Sequence, residues 1–211
     1  MKGLLIKDFY LFTKYNKYYI FLILGFIALS LGANQQMFMA LFPCIYAGLI
    51  PVTLQAYDER ERWTTYSGGL PVTKAQLVSA KYIDGLVFGS ATILLIAIAH
   101  GIKLACGATD SATYLFTLAG SIISGFAPVA LMLPFIFRFG AEKGRMVSLM
   151  TIGLVVATVT VSMTVLDNVT VGDAMPAIGG AGLILVSLLI CAVIYAASWL
   201  ISIALYNKRE R

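Results

Sequence analysis

Forty consecutive residues, Tyr18 to Tyr57, carry no charge at all. One α-helix needs only about 20 apolar residues to cross a bilayer core, so this run predicts two spans joined by a turn. Gly32-Ala33-Asn34-Gln35-Gln36 supplies the turn. Further uncharged runs follow at Gly85–Ile102, Ser111–Phe137 and Met146–Leu166, and a last apolar stretch reaches Tyr206. Charged residues make up 12% of the 211-residue chain, about half the share of a soluble domain. In lipid every backbone polar group must be satisfied within its own segment, which leaves helices as the reading for runs of this length. The expectation is therefore an all-α integral membrane protein with six transmembrane helices.

The basic residues set its orientation. Fourteen of the fifteen Lys and Arg fall before the first run, in Tyr57–Tyr82, in Arg138–Arg145 or in the tail, all on one side of a six-span arrangement. Lys103 alone lies on the other side. Basic loops mark the cytoplasmic face, so both termini are expected in the cytoplasm and the chain in the plasma or inner membrane. The formal charge of +5 is then a topological bias, not a nucleic-acid footprint. The expected map is one membrane domain: 1–17 a surface helix, 18–56 spans one and two, 57–82 a cytoplasmic loop, 83–137 spans three and four, 138–145 a cytoplasmic loop, 146–206 spans five and six, and 207–211 a basic tail.

In the first segment Met1, Leu4, Leu5, Phe9, Phe12 and Tyr15 share one helical face and four lysines take the other, the pattern of a helix lying in the headgroup plane. Large aromatics before and within the run that follows favour its retention over removal as a signal peptide. Asp8 interrupts the apolar face. Its i±3 and i±4 neighbours are Leu4, Leu5, Leu11 and Phe12, so its carboxylate is expected either to find a partner in another segment or to be tolerated in an early helical turn. Spans two and four each carry two prolines, Pro43 with Pro51 and Pro128 with Pro134. A proline frees a carbonyl four residues back, so such spans belong inside protein or beside water.

Several chemistries have no material here. There is no GxxxxGK[ST] phosphate loop. Cys44, Cys106 and Cys191 lack metal or redox spacing. The only histidine, His100, stands roughly 24 Å along the helix from Asp84, too far for a relay, and charges at span ends are expected to snorkel. With no pair of facing carboxylates expected, neither acid–base catalysis nor a metal site is predicted, and the chain reads as non-enzymatic.

The loop YDERERWTTYSGGLPVTKAQLVSAKY, Tyr57–Tyr82, has internal order. Asp58 and Arg62 can pair at i,i+4 on a helical turn. Trp63, Tyr66 and Leu70 follow as an apolar ridge, and Gly68-Gly69 ends the helix. After Pro71, Thr73 and Gln76 have the spacing of a capping box for a helix that continues through Lys81 into the third span. The expected result is helix, hinge, helix: a lever by which force on the first piece reaches the membrane. The plainer alternative is a solvated loop, against which the aromatics among the charges argue.

With its start LLIKDFYLFTKY, two spans, and then YDERERW and LPVTKAQLVSAKY, the chain resembles the permease subunits of type-2 ATP-binding-cassette exporters. It is most similar to the short six-span bacterial members that export amphipathic peptides such as phenol-soluble modulins and bacteriocins. The resemblance covers the whole chain in topology and implies a dimer of permeases, identical or not, bound to two separate ATPase subunits that hold ATP and Mg. It implies that the 57–82 loop is the coupling helix seated on the ATPase, with Asp58, Glu59, Glu61, Trp63, Tyr66 and Leu70 as docking residues. Residues 1–17 would form an elbow, and spans two and five would line the path, with Phe42, Tyr46, Thr158 and Ser162 as candidates. The short outer loop Asp167–Pro176 argues against a large external cap. From the residues alone, an ATP-independent secondary transporter or channel and a membrane immunity or sensor protein remain open.

Overall fold

The computed structural model describes residues 2–15, 17–32, 36–67, 69, 71–140 and 179–209, with residues 150, 153 and 157 singly. Among these the elements are all helical: α1 (Lys2–Tyr15), α2 (Lys17–Gly32), α3 (Gln36–Arg60), α4 (Trp63–Ser67), α5 (Lys74–Ala105), α6 (Ser111–Phe139) and α7 (Gly179–Arg209). Four of them, α3, α5, α6 and α7, are long and apolar enough to cross a membrane, and a fifth candidate arises if α1 and α2, bent by 73°, count together. Alone, α2 has 16 residues, or about 24 Å at 1.5 Å per residue, short of a ~30 Å core. The expected fifth span, 146–166, lies outside the described residues apart from those three single positions, so six spans are not on view.

The helices with internal prolines occupy the centre. In α3 and α6, 61% of the most apolar window is buried, against 28% in α5 and 17% in α7. α6 packs on α7 and α3, and α3 also meets α2 and α5. The crossing of α3 and α6 depends on the missing side chain of Gly48: a Cβ there would lie 2.6 Å from the Gly125 carbonyl oxygen and 3.2 Å from Pro128. The outer surface of α7 is a field of exposed Leu, Ile and Val, as a lipid-facing helix requires.

A freed proline carbonyl finds its partner in the next helix. Pro134 cannot donate to the Ala130 carbonyl, and Ser198 of α7 donates to that oxygen instead, at 2.6 Å. Because the Ser198 proton is committed there, Tyr82 donates to Ser198 and Ser202 donates to Tyr82, both at 2.7 Å. Tyr195 donates to the Tyr82 carbonyl at 2.6 Å and the Trp199 indole to Ser79 at 3.1 Å. This directed chain of hydroxyls ties α5 to α6 and α7 inside an otherwise apolar cluster of Val78, Val129, Leu133 and Phe137.

At the opposite end of α5, the buried His100 bonds Ser30 of α2 at 3.2 Å. Lys103 reaches the Ser30 carbonyl at 3.5 Å. Lys103 thus sits against the last turn of α2, where a cation meets the negative end of the helix dipole.

Two glycine substitutions test this packing. Gly48→Ala is expected to lower the thermal stability of the detergent-purified chain by about 1–3 kcal/mol through overpacking. Gly25→Ala, with nothing within 4 Å of the added carbon, is expected to be neutral or slightly stabilising. Equal melting temperatures for Gly48→Ala and the parent chain would contradict the close crossing.

Candidate functional site

The site begins with α1. Leu4, Asp8 and Phe12 form its buried stripe, so the inward face is narrower than the sequence pattern predicts: Phe9 and Tyr15 point outward, at 61% and 51% exposure. Lys7, expected on the solvated face, turns inward and is only 21% exposed. Asp8 meets a partner in another segment, Lys81 of α5, at 2.8 Å. A sequence neighbour outside the i±3 and i±4 positions also reaches it, since Lys7 lies 3.1 Å from the same oxygen.

α3 contributes the fourth charge. Asp58 accepts from Lys7 on one carboxylate oxygen at 2.6 Å and from Lys81 on the other at 2.7 Å. Two lysines and two aspartates therefore close a ring, each ammonium touching both carboxylates. Asp8, Asp58 and Lys81 are all buried. Burial alone would push the Asp8 carboxyl up, but Lys81 and Lys7 outweigh it and hold it below the usual carboxylate range. A carboxylate held down in this way contributes stability at neutral pH that is lost on acidification through its lowered titration.

Four local expectations give way here. Asp58 does not pair with Arg62: it is buried between two ammonium groups, that of Lys81 buried and that of Lys7 partly so, which outcompete an exposed i,i+4 pair worth about 0.3–0.5 kcal/mol. The helical turn expected over Asp58–Arg62 is split: α3 runs on to Arg60, and Arg62 breaks the helix at φ 52°, the only positive φ outside glycine among the described residues. Lys81 and Asp84 do not snorkel; they are 3% and 6% exposed. Nor are facing carboxylates absent, since Asp84 lies within hydrogen-bonding reach of Asp8.

α4 rests on this ring. The Lys7 ammonium sits 4.3 Å over the Trp63 ring, and Trp63 packs on Tyr66 with centroids 5.3 Å apart. Trp63, half-buried, lines one cleft with Lys7, Asp58 and Lys81, so it faces the membrane domain. Tyr66 stands 65% exposed, and Arg60, Glu61 and Arg62 are exposed beside it, while Glu59 is half-buried. Gly69 closes a turn on the Tyr66 carbonyl at 3.1 Å; Gly68 and Leu70 lie outside the described residues. Past the bend at Pro71, Thr73 and Gln76 form the reciprocal capping box that starts α5.

The expected path residues are placed only in part. Phe42 and Tyr46 of α3 stack against Phe26 of α2, at 5.2 and 6.0 Å between centroids, and Tyr46 also meets Tyr19. Both are half-buried in this packing. Thr158 and Ser162 lie outside the described residues. No cluster suited to a metal ion occurs among the described residues. Sequence reasoning missed Lys7 and Lys81, which it read as topology markers. The available signal was an apolar-face aspartate with no base at i±3 or i±4, together with a lysine one turn before the third span.

Residues 3–207 match the family model described as ABC-2 family transporter protein. The chain belongs to that family, and its long apolar helices make it the transmembrane subunit of an ABC-type transporter. No curated protein and no solved structure matches it.

Removing one member of the ring strands a buried charge. Lys81→Met is expected to destabilise the chain by about 3–5 kcal/mol, whereas replacing all four charges together by apolar or amide residues is expected to recover most of that loss. Thermal unfolding in detergent checks this; a single variant no worse than the quadruple one would contradict the closed ring.

Proposed function

We propose that this member of the ABC-2 family exports an apolar or amphipathic cargo, such as a peptide toxin, an antimicrobial peptide or a lipid-like molecule, from the cytoplasm. A separate ATPase subunit docked on the 57–82 loop supplies the energy. The functional unit pairs two permease copies with two ATPase subunits, which bind ATP and Mg; this chain hydrolyses nothing itself. α1 acts as an elbow at the membrane surface, α4 is the docking piece, and both termini lie in the cytoplasm. The long uncharged stretches of the spans favour an apolar or amphipathic cargo over a sugar, nucleotide or metal ion.

One observation carries this reading: the ring joins α1, α3 and α5 at the point where α4 attaches. A push on α4 passes through Trp63 to Lys7, and from Lys7 to the carboxylates of α1 and α3. Lys81 then carries it into α5, a single helix of 32 residues. Among the described residues, the surface on offer to a partner is the outer side of α4 with Glu61 and Tyr66. Glu59 joins it at the end of α3, while Asp58 and Trp63 serve the inner side.

The test is co-purification with the ATPase. Replacing Glu59 and Glu61 by Arg, with Tyr66→Ala as a separate variant, is expected to abolish or strongly weaken ATPase capture while membrane insertion and melting temperature stay unchanged. Full retention of the ATPase in both variants would remove this surface from the docking interface.

A further inference from the structure

The ring leaves one buried acid unaccounted for. Lys7 and Lys81 each contact Asp8 and Asp58, so two positive and two negative charges are already balanced. Asp84 stands one helical turn beyond Lys81 on α5. It is 6% exposed, and its Oδ2 has no hydrogen-bond partner. No ion pair reaches it among the described residues, and its carboxyl lies against that of Asp8. From α7 the Tyr195 hydroxyl approaches, but its proton is committed to the Tyr82 carbonyl. Asp84 therefore faces Asp8 and Lys7 on α1, Lys81 on its own helix and Tyr195 on α7, with Asp58 of α3 sharing the same two lysines.

A bare third carboxylate would leave one unbalanced negative charge buried beside another, with an oxygen that no donor reaches. Such a charge is removed by binding a proton rather than by staying solvated. We propose that Asp84 is a proton-binding site: it takes one proton from water and donates it to Asp8 as a carboxylic acid–carboxylate hydrogen bond. The bond is of the short, charge-assisted kind, and it gives the orphaned acid a job. The proton becomes the fifth element of the joint between α1 and α5. Its loss sets a second negative charge beside Asp8, draws on the lysines that serve Asp58, and loosens the joint. The inference goes beyond the transport reading and stands without it.

The sign of the pH response follows. At neutral pH an unfolded aspartate has lost its proton, so here the native state holds one proton more. Stability then falls as pH rises through the Asp84 titration, by up to about tenfold in the unfolding equilibrium per pH unit. Infrared spectroscopy of the full-length chain in lipid nanodiscs reads the proton directly. The parent protein is expected to show a protonated-carboxyl stretch at neutral pH that shifts with isotope-labelled aspartate and fades in alkali together with the melting temperature. Asp84→Asn should lack the band and lose the alkaline decline. Should Asp84→Asn fail to accumulate, Asp84→Glu decides the question: the band is expected to persist but no longer to shift with labelled aspartate. Absence of the band from the parent, or its survival with aspartate labelling in either variant, would overturn the proposal. A stability that follows sodium concentration at fixed pH, and not pH itself, would overturn it as well.

Discussion

Two lysines and two aspartates, each ammonium shared by both carboxylates, join α1, α3 and α5 at the point where α4 attaches. Taking such groups out of water costs several kcal/mol per ion, and only close, multiply bonded geometry offsets it. Here every contact is 3.1 Å or shorter. The ring adds little to net stability compared with an apolar plug of the same size; what it contributes is specificity of arrangement. The ion pairs that join α1, the end of α3 and the start of α5 link residues 23 to 73 positions apart, and apolar packing alone would let these segments slide. A closed charge ring admits one register. Its place under α4 makes that register the one that a load on α4 would meet first.

The same logic governs the apolar end of the joint. Prolines in α6 open the backbone hydrogen-bond ladder, and in a lipid-like environment an open carbonyl must be served by a neighbour. Ser198 serves Ala130, and because each hydroxyl has one proton to give, the bonds through Tyr82 to Ser202 are ordered in a single direction. Tyr82 follows Lys81 directly, so consecutive residues of α5 turn one to the charge ring and one to the hydroxyl chain. The start of α5 is thereby fixed on two sides, to α1 and α3 by ions and to α6 and α7 by hydrogen bonds.

Much of this architecture was legible in the residues. The uncharged runs located α3, α5, α6 and α7, and Thr73 and Gln76 located the start of α5 because a capping box is a local signal. The prolines marked the buried helices, since they carry a backbone deficit that only protein or water can fill. The ring was not legible as a ring. Lys7 and Lys81 look like ordinary cytoplasmic bases, and the i,i+4 spacing of Asp58 and Arg62 offered a local pair. Long-range partners among charges follow from the tertiary fold, and nothing in local spacing announces them. The inward turn of Lys7 and the break at Arg62 are consequences of that fold. For Phe42 and Tyr46, composition could nominate an aromatic face but not its stacking partner, Phe26 of α2.

The central claim is that the charge ring makes α4 and the membrane helices one body. Spin labels at positions 10 and 66, both exposed, in a background with Cys44, Cys106 and Cys191 replaced, measure it directly. Electron–electron resonance on the full-length chain should return one narrow distance between α1 and α4, which broadens when Lys81→Met opens the ring. An unchanged narrow distance in that variant would contradict the account.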